Sequence, residues 1–217
     1  MEYLSSIIGP MLEGTTVTLQ MFFATIILSL PLGLFIAIGR ISRFRPLKSF
    51  LGFYIWLLRG TPLMLQLLFV YYALPFVPGI SITLTDFQAA LVAFVLNYAA
   101  YFAEIFRAGI QSIDRGQFEA AKVLGMTYSQ TMRRIVLPQV IRNVLPPVSN
   151  ETITLVKDTS LIYVLAMNDL MRTAQSFVKR DFNMMPFIVA AVFYLAMTFV
   201  LTKVFHRLEK RYGAYAE

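Results

Sequence analysis

Ionisable and polar side chains lie inside segments of this sequence that are otherwise strongly apolar. Glu151, Thr154 and Asp158 are three and four residues apart, so an α-helix places them on one face, while Lys157 points elsewhere. Ionisable groups in apolar surroundings are costly, and they mark either a polar pathway or charges that pair with each other. We therefore expect a polar cavity that accepts a ligand with both a cationic and an anionic group. The alternative is that these charges neutralise one another between helices.

Two other segments supply further candidates for this cavity. Asn97 and Glu104 are seven residues apart and share a helical face, and Arg59 interrupts an apolar segment that is too short to span a bilayer without it. The pair Pro146-Pro147 removes two backbone hydrogen bonds from its helix. We therefore expect a break or a bend there that exposes backbone groups to the cavity.

No set of residues indicates catalysis. The only histidine, His206, lies in a basic segment near the C-terminus, cysteine is absent, and no H-E-x-x-H zinc motif occurs. The G-x-x-x-x-G-K-[ST] phosphate-binding loop is also missing, so any energy from ATP has to come through a partner. We expect no catalytic residue and no metal site on this chain.

The elements that position these residues are predicted to be membrane-spanning helices. Hydrophobic residues make up 58% of the 217 residues and charged residues only 14%, against roughly 25% charged in a soluble domain. A span takes about 20 apolar residues. We predict an all-α membrane protein that forms one domain over residues 1–217. Its five spans are expected at about residues 12–39, 49–74, 87–106, 140–165 and 186–205.

The positions of Lys and Arg predict how the chain is oriented. No basic residue precedes Arg40, so the basic region of a cleaved signal peptide is missing and we expect the first span to remain. Fourteen of the 19 Lys and Arg residues follow the first, third and fifth spans, and basic residues concentrate in cytoplasmic loops. The N-terminus and residues 75–86 are therefore predicted outside, and residues 107–140 and the C-terminus in the cytoplasm. This distribution explains the net charge of +7 without nucleic acid.

The longest cytoplasmic loop, about residues 114–139, carries helix signals of its own. Asp114 and Gln117 form a candidate capping box, and Glu119 lies early, where the helix dipole favours an anion. Gly125 is suited to the left-handed conformation that ends a helix. These signals predict a short cytoplasmic helix.

Ala120 and Ala121 have small side chains that project little from this short helix, so another protein can approach its backbone closely. A second helical piece is predicted over residues 128–136, ending near Pro138. The alternative is an amphipathic loop that lies solvated on the membrane surface.

The spacing of this loop resembles the EAA loop of ATP-binding-cassette importer permeases: Glu-Ala-Ala, three residues, Gly, nine residues, then Ile-x-Leu-Pro. The matching residues are Glu119, Ala120, Ala121, Gly125, Ile135, Leu137 and Pro138. The segments R-G-T-P-L, A-E-I-F-R with G-I-Q-S-I, and K-D-T-S-L, which begin at residues 59, 103, 109 and 157, resemble the polar amino acid branch of that family. The resemblance extends from about residue 14 to the end of the fifth span.

The resemblance implies partners and a cellular location. In the family this loop is a coupling helix that docks in a groove of a cytoplasmic ATPase, and ATP and Mg²⁺ are bound by that ATPase rather than by the permease. A second permease copy or a homologous permease is expected to complete the pathway, since five helices are few to enclose one. An extracellular amino acid-binding protein and a multi-pass location in the cell membrane are also implied.

The expected function is the permease subunit of an ATP-driven amino acid importer. Two acids on one helix face favour a basic substrate (arginine, lysine or histidine), with Lys157 or freed backbone amides binding its carboxylate. Glutamine or glutamate is the alternative within the family, and a channel or sensor subunit is a more distant one. K-D-T-S-L is common to relatives with different substrates, so Asp158 is a weaker guide to the substrate than Glu151. The expected substrate-binding residues are Glu151, Asp158, Lys157, Asn97, Thr154 and Arg59.

Overall fold

The computed structural model describes residues 2–77 and 82–213, and three helices in these ranges are long and apolar enough to cross a membrane. They are α1 (Glu2–Ile41), α4 (Asp86–Gln111) and α9 (Met185–Gly213), and the first, third and fifth predicted spans lie within them. Residues 78–81 of the predicted outer loop, and residues 1 and 214–217 of the predicted domain, lie outside the described residues. The remaining α-helices are α2 (Arg45–Gly60), α3 (Leu63–Leu68), α5 (Arg115–Val123), α6 (Tyr128–Thr131), α7 (Leu137–Asp158) and α8 (Leu170–Asp181).

The second predicted span, residues 49–74, is not one continuous helix. α2 and the helical segment that starts with α3 meet at an angle of 106°, and they count as a further span only if both parts are taken together. Pro62 explains the break, because a residue before proline is disfavoured in the helical conformation, and Thr61 is extended with φ −119° and ψ 147°. Arg59 therefore lies at the end of α2, beside the bend.

α7 carries the fourth predicted span, residues 140–165, and continues as a 3-10 helix over Thr159–Leu165. The helix is continuous through Pro146 and Pro147, so a break at these prolines is wrong, while the alternative, a bend, stays a prediction. The prolines remove two N–H donors, but α7 packs against both α4 and α9, and tertiary packing of this kind is what mostly stabilises a helix. The acids of α7 therefore sit on one continuous helix.

Helix α5, in the predicted cytoplasmic loop, begins at the predicted N-cap. The Asp114 carboxylate accepts a hydrogen bond of 2.6 Å from the Gly116 N–H. The predicted capping box is wrong, because Gln117 instead accepts a hydrogen bond of 3.4 Å from the Gln139 side chain. Gly125 follows the helix with φ +69°, which confirms the predicted left-handed end.

The second helical piece of the loop does not end near Pro138. α6 passes through a π turn, Met132–Val136, directly into α7, and Pro138 occupies the first turn of α7. Proline is tolerated in a first turn because its missing N–H would have no helical partner there. The end of the predicted cytoplasmic loop and the helix that carries Glu151 and Asp158 therefore form one continuous helical segment.

Close packing of α1 on α4 fixes the position of the central helix. A Cβ atom added at Gly33 would lie 2.7 Å from the Phe102 Cβ, so the two backbones approach too closely for a side chain. Ala100 and Ala103 are also fully buried, as expected where small residues allow helices to approach. With one face held against α1, α4 directs Tyr98 towards Asp158 on α7 and Asn97 towards the break after α2.

Candidate functional site

Four of the six predicted substrate-binding residues line one cavity of about 490 Å³ between α4, α7 and the break after α2. We call it the acidic cavity. Two carboxylates contribute to its wall, and the lining includes the start of the α3 segment. Its lining residues are Thr61, Pro62, Leu63, Met64, Asn97, Tyr98, Tyr101, Glu151, Thr154, Asp158 and Leu161. The predicted shared face of Glu151, Thr154 and Asp158 is thereby confirmed.

A second cavity of about 710 Å³, here called the vestibule, adjoins the first. The two share Tyr101 and Glu151, so these residues form the boundary between them. The vestibule extends along α4 and α7 to Ser112 and Asn143, where the Asn143 side-chain amide donates a hydrogen bond of 2.8 Å to the Ser112 hydroxyl. Ser112 lies two residues before the N-cap of α5. The vestibule thus reaches from the acidic cavity to the loop that contains α5.

Tyr98 positions the Asp158 carboxylate. Its hydroxyl donates a hydrogen bond of 2.8 Å to Asp158 Oδ2, and its side chain is only 1% exposed. The ring stacks on Phe94, with centroids 6.3 Å apart and an interplanar angle of 5°. One carboxylate oxygen is therefore held by a rigid donor.

Asn97 lines the acidic cavity and also forms hydrogen bonds with residues on both sides of the break after α2. Its Nδ2 donates to the Leu58 carbonyl at 3.1 Å and to Gln66 Oε1 at 2.9 Å. Gln66 Nε2 in turn donates to the same Leu58 carbonyl at 2.8 Å and to the Thr61 hydroxyl at 2.7 Å. Because both side-chain amides donate to oxygen atoms at the break, they fix the bend against α4.

Arg59 lines the vestibule rather than the acidic cavity. Its guanidinium carbon lies 5.0 Å from the centroid of the Tyr101 ring, a cation–π distance. The guanidinium is also near enough to Glu104 and Glu151 to attract both carboxylates. Arg59 is therefore a cation placed at the boundary between the two cavities.

Two other charged candidates are not brought to the acidic cavity. Lys157 is exposed and lines neither cavity, in agreement with its predicted direction on the helix. Glu104 lines the vestibule and accepts a hydrogen bond of 2.9 Å from Arg107 Nε, so part of its charge is neutralised within α4. A ligand carboxylate in these cavities would therefore face Arg59, not Lys157.

Sequence reasoning missed Tyr98 and Gln66. A signal was present for Gln66, since it is the one polar side chain in the apolar run L-M-L-Q-L-L-F. A buried polar side chain needs partners, and a lone amide in such a run indicates a structured contact. For Tyr98 the signal was weaker, because a tyrosine among aromatic and alanine residues is equally typical of a packed core.

The EAA loop presents an apolar surface to solvent. Glu119, Ala120 and Gly125 are exposed, as a contact surface requires, whereas Ala121 is fully buried and supports the helix from inside. Leu137 is 44% exposed, and Ile135 and Pro138 are partly buried. Val123 and Leu124 at the end of α5 are 86% and 76% exposed. An exposed apolar patch of this kind marks a protein or membrane contact.

Metal binding finds no support in the part of the chain that the structure describes. No group of three or more His, Asp and Glu side chains in residues 2–77 and 82–213 could hold a metal ion.

Residues 29–213 match the family model described as the binding-protein-dependent transport system inner membrane component. The arginine transport system permease protein of Bacillus subtilis is 40% identical over 92% of this chain and 91% of its own length. A putative glutamine transport system permease protein of Rickettsia typhi is 39% identical over 92% and 91%. The L-cystine transport system permease protein of Bacillus subtilis is 38% identical over 93% and 86%.

Solved structures agree with the fold. The crystal structure of an amino acid ATP-binding-cassette transporter with histidines aligns with a TM-score of 0.87 at 35% identity, covering 96% of this chain and 97% of that one. An inward-facing methionine transporter aligns with a TM-score of 0.71 over 98% of both chains, and at 18% identity it supports the fold alone.

Proposed function

Because this chain belongs to the family of binding-protein-dependent transport system inner membrane components, we propose that its acidic cavity binds the amino acid during transport and favours a basic one. The chain is a membrane permease subunit of an amino acid ATP-binding-cassette importer. The observation that carries the proposal is that Glu151 and Asp158 line the same small cavity. Two carboxylates there attract a cationic side chain more strongly than a neutral one.

The roles of the other lining residues follow from their positions. Asp158 is held by Tyr98, Thr154 lies between the two acids, and Asn97 keeps the wall in place through the helix break. Arg59, at the boundary with the vestibule, is the candidate partner for the substrate carboxylate. It takes the role that the sequence had suggested for Lys157, which lines neither cavity.

The relatives leave more than one substrate class open. An arginine permease and a transporter structure with histidines support a basic substrate. A glutamine permease of nearly equal identity supports the alternative, a glutamine substrate. We favour the basic class on the charge of the cavity.

Coupling to ATP is proposed to occur through α5. Glu119, Ala120 and Gly125, together with the exposed Val123 and Leu124, would contact a cytoplasmic ATPase that binds ATP and Mg²⁺. Ala121, Ile135, Leu137 and Pro138 would shape and support that surface.

We also propose five membrane crossings with the N-terminus outside and the C-terminus in the cytoplasm. A second permease chain would complete the pathway, and an extracellular binding protein would deliver the substrate.

The test is uptake of labelled amino acids by the reconstituted complex of permease, ATPase and binding protein in proteoliposomes. Glu151→Gln removes one charge and keeps the shape of the side chain. We expect it to raise the KM for arginine or lysine by about 10- to 100-fold, since a hydrogen bond to a charged group contributes roughly 1.5–3 kcal/mol.

Glutamine serves as the second substrate in this assay and Glu13→Gln as the matched control. Glu13 is exposed near the start of α1, far along the chain from the acidic cavity. An unchanged KM for basic amino acids in Glu151→Gln would remove Glu151 from the site. Preferential uptake of glutamine by the unaltered complex would replace the basic substrate with the alternative.

A further inference from the structure

The outer surface of α9 carries an apolar row that no other helix within residues 2–77 and 82–213 covers. Ile188, Val192, Leu195 and Phe199 are spaced by three or four residues and are 58%, 57%, 67% and 63% exposed. Residues at this spacing share a helix face. In a membrane span, such a row contacts lipid acyl chains.

This row changes from apolar to basic without leaving the helix face. Lys203, His206 and Lys210 continue the spacing beyond Phe199, and all three are exposed. A neighbouring row makes the same change: Val200 and Val204 are exposed and apolar, and Arg207 and Arg211 follow them and are exposed as well. The whole lipid-facing surface of α9 therefore becomes basic within about two turns.

Lys203 marks the level at which the change occurs. Its Nζ lies 5.5 Å from the centroid of the Phe199 ring, so its aliphatic part runs along the last apolar side chain. Residues 186–202 span about 25 Å at 1.5 Å per residue, close to the roughly 30 Å of the hydrocarbon layer. The next two turns therefore fall in the headgroup layer.

The single acidic residue of α9 is turned away from this surface. Glu209 is partly buried and lines a small cavity with Arg142, Leu145, Pro146 and Tyr212. A helix face that is merely solvated usually mixes both signs of charge. This one carries only basic side chains.

We propose that the basic face of α9, formed by Lys203, His206, Arg207, Lys210 and Arg211, binds the headgroups of anionic phospholipids. The charge complements a phosphodiester with a net negative headgroup, and the continuity with the apolar row places the acyl chains of the same lipid along α9. A basic cluster directly beyond a membrane helix gains about five-fold in affinity per Lys or Arg near an anionic surface. A soluble anion or a protein would match the charge but not the apolar row.

The experiment measures lipid retained by the purified permease–ATPase complex. The complex in detergent is incubated with equal amounts of phosphatidylglycerol and phosphatidylcholine, and bound lipid is counted by native mass spectrometry. We expect phosphatidylglycerol to be retained at least ten-fold over phosphatidylcholine, and this preference to fall as salt screens the charges.

Two matched variants assign this preference to α9. K203Q/R207Q/K210Q/R211Q should bring the retention ratio close to one, whereas K203R/R207K/K210R/R211K alters the same four exposed positions, keeps the charge and should keep the ratio. If the neutral quadruple variant does not fold, K203Q/K210Q serves instead, and at about five-fold per charge the loss of two charges should already remove most of a ten-fold preference.

Four results would overturn the proposal. The first is equal retention of the two lipids by the unaltered complex. The second and third are an unchanged retention ratio in the neutral variants and a lost preference for phosphatidylglycerol in the charge-retaining variant. The fourth is displacement of phosphatidylglycerol by millimolar glycerol 3-phosphate, which would indicate a site for soluble anions. Loss of the ATPase from the neutral variants with unchanged lipid retention would assign the face to a protein contact.

Discussion

Replacing Tyr98 by Phe isolates the hydrogen bond that its hydroxyl donates to Asp158 across 2.8 Å. The Phe ring retains the stacking on Phe94 and the burial of the side chain, so the change removes one oxygen atom from an otherwise intact core. A hydrogen bond to a charged group contributes about 1.5–3 kcal/mol. For a chain of 217 residues, this corresponds to a fall in Tm of roughly 3–12 °C.

The same variant decides whether Asp158 binds substrate or only stabilises the fold. If the carboxylate binds the substrate, Tyr98→Phe should raise the KM for a basic amino acid several-fold, because the group is no longer held in position. Uptake by reconstituted complexes and thermal unfolding of the same samples give the two readings. A purely structural role would lower the Tm and leave the KM unchanged.

Asp158→Asn and the double variant complete a thermodynamic cycle. Because Tyr98 and Asp158 are in direct contact, the effects of the two single changes on stability should not add, and the coupling between them should be about 1 kcal/mol or more. Phe94→Leu provides a control, since it disturbs the stacking of Tyr98 but leaves its hydroxyl. Additive effects of Tyr98→Phe and Asp158→Asn on stability would refute the hydrogen bond as a stabilising contact between the two side chains.

Three further predictions follow from positions outside the acidic cavity. Gly125→Leu places a leucine at a left-handed φ of +69°, which is unfavourable for a residue with a Cβ atom. An added Cβ meets nothing within 4 Å, so the membrane helices should stay folded while ATP hydrolysis is uncoupled from uptake. Normal uptake with normal ATPase binding would contradict the proposed contact. Burial raises the pKa of Asp169, the N-cap of α8, from 3.8 to about 6, so the folded state binds the proton more tightly than the unfolded state does. The free energy of unfolding should therefore fall by about 3 kcal/mol as the pH rises from about 4 to about 6, and it should stay level above that pH. Asp169→Asn should lack this slope in unfolding curves measured across that range, and an equal slope in both proteins would exclude Asp169 as its source. In intact cells, an impermeant thiol reagent should label Thr83→Cys but not Lys122→Cys in this cysteine-free chain, and the reverse pattern would invert the proposed orientation.

Regular features of the chain were predictable because they depend on local composition. The uncharged runs predicted α1, α4 and α9, and the helical wheel placed Glu151, Thr154 and Asp158 on one face. These inferences need only the period of a helix and the length of a span. The apolar periodicity did not reveal the break at Pro62, since the composition is apolar on both sides of it.

The errors concern contacts between segments that are distant in sequence. Pro146 and Pro147 argued for a break in α7, but packing against α4 and α9 overrides that local preference. Lys157 could be placed on a helix but not relative to Arg59, which lies almost a hundred residues earlier. Asn97 was correctly placed at the cavity, yet its bond to Gln66 depends on how α3 folds back on α4. No property of the residue itself indicates that partner.

The continuity of α7 changes how the proposed coupling surface and the acidic cavity are connected. A broken α7 would let its two halves move separately, whereas the observed helix runs unbroken from the π turn at Met132–Val136 to Asp158. Two hydrogen bonds join this helix to α4, from Tyr98 to Asp158 at one end and from Asn143 to Ser112 at the other. We therefore expect a displacement of the predicted cytoplasmic loop to move both acids together and to strain both bonds at once. In the proposed function, docking of the ATPase would alter the acidic cavity by shifting one wall relative to the other, and Tyr98 would release Asp158 as that shift occurs.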